Sequence, residues 1–386
     1  MNIKNTNTST ETDCMFQQAK SFYQQHQYRQ AEEKLNLLIE EQPGNVSYYY
    51  LMAKIQEKRG FHLKQIHLLN KAIELTPSAS NLLIEMAFAQ FSAFNFEQAY
   101  HFASLSAEHK NNSAETYSSI SKLFNKLGQY DKAAQMLEAA VLLDHNDDKL
   151  FFHLGGALTL CGKIDAAIDA YQESIRLNPN SPLAFTGLTK ARKASVDNNN
   201  SEKLQTLLSQ DRNPWTGINV AHGLAKELDD LTQYQEAFKV LTKAKKRLRA
   251  VCAYSPHSGA ENIKALSVLY KRHASEIEAN SKGSTVAPVF VTGMPRTGTT
   301  VVERILTNHN DVITLGERFQ FSAALKQQCQ LQGKKNYANM IDAKILDECW
   351  STIDFEKLGH DYIQSVSYLS NNNQRFVDKL PLNILM

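Results

Sequence analysis

The 386-residue sequence has no run of roughly 18 apolar residues, so no membrane-spanning helix is expected. Its first stretch, Met1 to Asp13, is polar and rich in Asn and Thr, without the basic start and apolar core of a secretory signal. Charge of one sign is not in excess either. Lys and Arg number 42, Asp and Glu 40, and the balance of +2 gives no push toward nucleic acid or an anionic membrane surface. Cysteine is sparse: Cys14, Cys161, Cys252, Cys329 and Cys349 are scattered, odd in number and never spaced C-x-x-C. That pattern argues against a disulfide framework and a zinc site, and leaves free thiols in a reducing compartment as the simplest reading. Cytoplasmic residence follows by default, and no metal-ligand cluster is visible. What remains is a composition, 42% hydrophobic and 21% charged, that suits a soluble globular chain of two or three domains.

The first half carries a period. Stepping by 34 from Ala31 reaches Gln65, Ala99, Ala133 and Ala167. The same step joins Ala19, Ala53, Ala87, Ser121 and Gly155, all small, and Met15, Tyr49, Leu83, Tyr117 and Phe151, all bulky. Pro43, Pro77, Asn111, His145 and Pro179 share the phase of a helix end, where Pro stops the helix because it lacks an N–H and constrains the residue before it. Gly60, Gly128 and Gly162 sit at the turn between two helices. Small residues let paired helices approach and bulky ones fill the space beside them. A single hairpin cannot bury its own apolar face, so neighbours must stack.

This pattern resembles the tetratricopeptide repeat. Gly128-Gln-Tyr130-Asp-Lys-Ala133 and Gly162-Lys-Ile-Asp-Ala-Ala167 match that family's central turn. The resemblance implies five repeats over 12–181, after a disordered start at 1–11. Residues 193–201, rich in Asn and Ser, read as a loop. Residues 182–280 read as divergent repeats and connecting helices, followed by a short linker at 281–287. The basic run Lys243, Lys245, Lys246, Arg247 and Arg249 reads as a solvated helix face, with an acidic docking partner as the alternative.

The texture changes at Pro288. Val289 to Thr292 is a short apolar run with β-branched residues, expected as a buried strand. Gly293-Met-Pro295-Arg296-Thr297-Gly298-Thr299-Thr300 follows, and then a helix with apolar residues at 301, 302, 305 and 306. Strand, glycine turn and helix make an anion site. The glycines allow close backbone approach, the first amides of the helix have no intrahelical partner, and the helix dipole adds positive potential. Arg296 adds a planar fork for phosphate or sulfonate oxygens. The glycine spacing is that of a nucleotide P-loop, G-x-x-x-x-G-K-[ST], but Thr299 occupies the Lys position, which disfavours a kinase or ATPase. The segment instead resembles the 5′-phosphosulfate loop of the sulfotransferase family, whose donor is 3′-phosphoadenylyl sulfate.

Two further segments sharpen that resemblance. Asp311 to Leu315 reads as a second strand ending in Gly316-Glu317. Tyrosylprotein sulfotransferases, and bacterial proteins that pair tetratricopeptide repeats with a sulfotransferase domain, carry Gly-Glu at this distance from the loop. The resemblance makes Glu317 the general base; the plain alternative is a solvated helix cap. Arg375-Phe-Val-Asp378-Lys379-Leu-Pro381-Leu-Asn383 is similar to the family's Asp-Lys-x-Pro segment. It implies that Lys379 stabilises the leaving group, with Asp378 and Asn383 as support; the alternative is an exposed Lys beside Asp378. His309 reads as a turn residue.

The expected architecture is therefore an α-solenoid of tetratricopeptide repeats followed by a partial α/β, P-loop-like sulfotransferase domain at 288–386. The resemblance implies transfer of a sulfuryl group from 3′-phosphoadenylyl sulfate to a hydroxyl or amine, without a metal. Gly293, Pro295, Arg296, Thr297, Gly298, Thr299 and Thr300 would bind the donor, and Glu317, Lys379 and Arg296 would catalyse. A peptide or protein would sit on the repeats, with no part for nucleic acid or membrane. Whole domains of this family continue past the Asp-Lys-x-Pro segment and supply an Arg and a Ser for the donor's 3′-phosphate. Residues 288–386 hold only the opening part, so truncation is expected. The alternative function is an interaction scaffold with an inactive sulfotransferase remnant.

Overall fold

A computed structural model describes residues 4–109, 112–252, 256–280, 288–294, 296–329, 343–369 and 375–380. The linker expected at 281–287, as well as Pro295, Pro381 and Asn383, lies outside the described residues. The chain forms two compact units, one from residues 1–102 with 256–386 and one from 103–255.

The first unit opens with α1 (Lys4–Gln24), α2 (Tyr28–Glu41), α3 (Val46–Arg59), α4 (His62–Leu75), α5 (Ser80–Ser92) and the first half of α6 (Phe96–Ala107). Helices α1 and α2, α3 and α4, and then α4 and α5 pack against each other. The second unit holds α7 (Ala114–Lys126), α8 (Tyr130–Leu143), α9 (Asp148–Leu160), α10 (Ile164–Leu177), α11 (Pro182–Ala191), α12 (Ser201–Gln210), α13 (Pro214–Asp230) and α14 (Tyr234–Arg249). Neighbouring helices pair here as hairpins, α7 on α8, α9 on α10 and α13 on α14. The small-residue register is the buried one: Ala19, Ala53 and Ala87 are fully buried and Ser121 nearly so. Ala31, Ala99, Ala133 and Ala167 are fully buried, and so nearly is Gln65. Of the bulky register only Leu83 is buried; Met15, Tyr49, Tyr117 and Phe151 are half-buried. The basic residues of α14 from Lys243 to Arg249 are exposed.

The turns show a regularity that residue identity hides. His26, Gly60, Phe94, Gly128 and Gly162 all have positive φ, between 61° and 76°. They are spaced by the same 34 residues. Three of the five are glycine, the residue that takes this conformation without a Cβ clash; His26 and Phe94 adopt it regardless. Thr232, between α13 and α14, does so too at φ 63°. Such a value is strained for a β-branched residue.

The expected loop at 193–201 spans the connection between α11 and α12. It is pinned by buried Glu227 of α13, whose carboxylate accepts from the Asn200 amide and side chain and lies 3.9 Å from Arg192.

Past α15 (Pro256–Asn280) the first unit turns to mixed structure. It contains β1 (Val289–Phe290), α16 (Thr299–Leu306), β2 (Val312–Gly316), α17 (Gln320–Gln328), α18 (Ala343–Cys349), α19 (Phe355–Val366) and β3 (Arg375–Asp378). The sheet order is β1-β3-β2, with every pairing parallel. Central β3 has Phe376 and Val377 buried, as a strand covered on both faces requires. The core joins Leu315, Leu325, Trp350, Leu358, Tyr362 and Phe376 to Leu266 and Leu269 of α15. Strand β1 is shorter than the run Val289–Thr292, although the Val291 amide still donates to the Asp378 carbonyl at 2.9 Å.

The cysteines correct one expectation. Cys329 and Cys349 are joined by a disulfide, with Cα atoms 5.5 Å apart. A separation of 20 residues matches no short motif; only the packing of α17 and α18 on one core brings the pair together. Cys14, Cys161 and Cys252 are free. No described helix is long and apolar enough to cross a membrane.

Two substitutions should move stability in opposite directions. Tyr171 of α10 is buried between Gly155 of α9 and Gly187 of α11. A Cβ at Gly187 would lie 2.4 Å from its ring. Gly187→Ala should lower stability by about 1–3 kcal/mol, outweighing its helix-propensity gain of about 1 kcal/mol. Thr232→Gly should raise stability by about 0.5–1 kcal/mol by relieving the left-handed backbone. Urea denaturation of each variant against wild type checks both.

Candidate active site

Parallel pairing brings three strand ends to one edge. Val291, just past β1, is hydrogen-bonded to Asp378, the last residue of β3. The amide of Lys379 donates to the Gly316 carbonyl at the end of β2, at 3.0 Å. The loop from Gly293 therefore leaves the sheet beside Lys379 and Glu317. Crevices at the carboxyl ends of parallel strands are where open α/β sheets bind ligands.

The loop is held in conformations that favour an open backbone. Gly298 has φ 93° and precedes α16, and a Cβ built there meets nothing within 4 Å. Arg296 is left-handed at φ 68°, an uncommon state for a non-glycine residue, and it is exposed. The Thr297 hydroxyl donates to the Met294 carbonyl at 2.7 Å, which closes the loop on itself. The N-cap of α16 is Gly298, which has no side chain to cap the helix. The amides of Val301 and Val302 turn back to the Gly298 carbonyl. Thr299 is half-buried and Thr300 exposed. Uncapped amides and an exposed Arg fit an anionic group.

Lys379 is only 6% exposed, and its ammonium is 2.6 Å from a carboxylate oxygen of Glu317. The two residues singled out from separate segments thus touch. The Glu317 side chain is 58% exposed and so open to solvent. Sequence reading missed a third member. Glu303 is the one buried residue of α16, while Val301, Val302 and Ile305 of the apolar stripe face outward. One Glu303 oxygen accepts from the Thr314 hydroxyl of β2, and the other lies 3.8 Å from the Lys379 ammonium. The available signal was an acidic residue flanked by apolar ones one turn into the helix. His309 lies in the turn before β2, its ring accepting from the Asp311 amide at 3.2 Å.

Asp378 is fully buried and accepts from the Tyr362 hydroxyl at 2.8 Å. Burial pushes its carboxyl up to about 6, against the Tyr362 hydrogen bond and the field of Arg318, which pull it down. Burial and the neighbouring Asp378 push the Tyr362 phenol up.

The segment just after Glu317 rests on the repeat helices of its own unit. The Phe319 ring lies 5.8 Å from that of Phe91 and 5.4 Å from that of Phe96, both edge-on. The Gln327 side chain donates to the Ala93 carbonyl at 2.8 Å, and Tyr100 stacks on Tyr368 at 5.5 Å. Phe91 and Phe96 pack as structural aromatics, in keeping with their helical positions.

Residues 288–386 match the sulfotransferase family, and residues 16–80 and 121–182 match the tetratricopeptide repeat. The chain is a tetratricopeptide repeat protein with a sulfotransferase-family domain. An uncharacterized protein of Aquifex aeolicus is 26% identical over 262 residues, 64% of this chain and 33% of that protein. Protein O-mannosyl-transferase TMTC1 of Mus musculus is 24% identical over 164 residues, 42% of this chain and 14% of that protein. The chain thus spans a third or less of the length of these two relatives. Among solved structures, the C-terminal part of a TPR repeat-containing protein from Cytophaga hutchinsonii aligns with TM-score 0.47 and 16% identity, over 61% of this chain and 99% of that one. YrrB, a TPR protein with an unusual peptide-binding site, aligns with TM-score 0.38 and 19% identity, over 55% of this chain and 97% of its own.

The buried Asp378 makes the stability of the sulfotransferase-family domain pH-dependent. Between its ordinary 3.8 and about 6, the folded chain holds a proton that the unfolded chain has released. Stability from this group is therefore greatest below about 4 and is lost as pH rises through about 6. Asp378→Asn keeps an acceptor for Tyr362 and removes the carboxylate. Urea denaturation should show the variant gaining on wild type by on the order of 3 kcal/mol between pH 4 and 7.

Proposed function

We propose that the sulfotransferase-family domain transfers a sulfuryl group from 3′-phosphoadenylyl sulfate to a hydroxyl or amine acceptor. The observation that carries this reading is the meeting of Lys379 and Glu317, 2.6 Å apart, at the same sheet edge as an uncapped helix N-terminus. The amides and hydroxyls of Thr299 and Thr300, with Gly293, Gly298 and Arg296, would receive the 5′-phosphosulfate oxygens. The Thr297 hydroxyl, bonded to the Met294 carbonyl, would shape the loop. Glu317, open to solvent, takes the acceptor's proton as the acceptor oxygen or nitrogen bonds to sulfur. The bond from sulfur to the bridging phosphate oxygen breaks, and Lys379 and Arg296 stabilise the charge left on the released 3′,5′-ADP. Every step uses the chain's own side chains.

The repeats fit a part in acceptor binding. A surface hollow over α2, α3 and α4 is lined by Asn36, Tyr49, Met52, Arg59 and His67, a mixture of polar and apolar groups suited to an extended peptide. We read the acceptor as carried on such a peptide or protein.

The protein should be retained on immobilised 3′,5′-ADP and should move labelled sulfate from 3′-phosphoadenylyl sulfate to peptide acceptors. Glu317→Gln and Lys379→Met should each lower transfer by about 100-fold or more, with the helical circular dichroism unchanged. Unaltered turnover in either variant would remove that residue from the mechanism. Absence of both retention and transfer in wild type would leave the repeats as a scaffold beside an inactive domain.

A further inference from the structure

Three charged side chains meet at the strand ends, and the two carboxylates among them are held differently. Glu317 follows β2 on the loop side, and its side chain is 58% exposed. Glu303 sits within α16, its side chain 8% exposed, with one oxygen fixed by the Thr314 hydroxyl and the other 3.8 Å from Lys379. Lys379 bonds to the exposed partner at 2.6 Å and faces the buried one at longer range. An anion that contacts the ammonium must compete with Glu317. It cannot displace Glu303, whose carboxylate is buried and anchored to the neighbouring strand.

Resting on the sulfotransferase reading above, we propose that Glu303 is the positioning residue for Lys379. It is the fixed counter-charge that keeps the ammonium in place when the donor draws it away from Glu317. The same movement uncovers Glu317 as a base, so the base is released only when the donor is seated. Asp378, next in the chain, turns its carboxylate to Tyr362, and Arg318 acts on Asp378. Helix α16 thus contributes at both ends of its first turns: its amides face the donor, and its Glu303 holds the residue on the far side of the transferring group.

The seating of Lys379 can be read without nucleotide, by the rate at which an amine-acylating reagent labels it, followed by mass spectrometry. Glu303→Gln keeps an acceptor for Thr314 and loses only the charge. It should loosen the Lys379 side chain and raise its labelling rate roughly tenfold. Glu303→Asp should restore most of the wild-type protection. In a Glu317→Gln background most of that protection should hold until Glu303 is also changed. Calorimetry with 3′,5′-ADP should show Glu303→Gln weakening affinity about tenfold. Lys379 labelling unmoved by Glu303→Gln, or moved as far by Glu317→Gln alone, overturns the proposal. If labelling shifts as stated but wild type binds no 3′,5′-ADP, the sulfotransferase reading fails and the catalytic role of Glu303 falls with it. The labelling result separates that failure from an error about Glu303.

Discussion

A buried ammonium must have a counter-charge, and the geometry of the C-terminal site follows from how that need is met. Lys379 is nearly excluded from water and projects from the end of the central strand. Desolvating an ammonium is costly unless opposite charge is close. The parallel sheet supplies it from both sides, Glu317 after β2 and Glu303 from the helix that follows β1. Those contacts require the three strands to end level with one another, which the bonds from Val291 to Asp378 and from Lys379 to Gly316 secure. The glycine loop then opens toward the same edge. Strand register, helix placement and site chemistry are one arrangement.

The repeat helices also bear on the site. Phe319, two residues beyond Glu317, is clasped by Phe91 and Phe96. Aromatic contacts of this kind are worth about 0.5–1.5 kcal/mol each beyond the area they bury. The segment that carries the proposed base is thus positioned by α5 and α6 as well as by β2.

Much of this was legible in the primary structure, for reasons that differ by element. The hairpins were visible because a small residue is needed wherever two helices touch, and that need recurs with the repeat. The strand-loop-helix at Gly293 was visible because glycines and a β-branched run have direct backbone meaning. Glu317 and Lys379 stood out only through family resemblance, and their contact is a product of strand order that no local pattern encodes. The turn residues His26 and Phe94 were hidden because only glycine advertises a left-handed backbone. Glu303 was hidden by the apolar stripe around it, which suggested the wrong buried face. The cystine was hidden because its two halves meet only through the packing of α17 and α18.

The aromatic clasp has a consequence for how such a chain can vary. Repeat arrays grow and shrink by whole units, since each contacts only its neighbours. The hairpin of α5 and α6 lacks that freedom, because Phe91, Ala93, Phe96 and Tyr100 bind outside the array. Units may be inserted or lost ahead of it while the seat of Phe319 is kept. Exchanging that one hairpin for a generic copy would unseat the loop beside the sheet edge. Within an otherwise modular sequence, it is the unit whose spelling is tied to a neighbour of another fold.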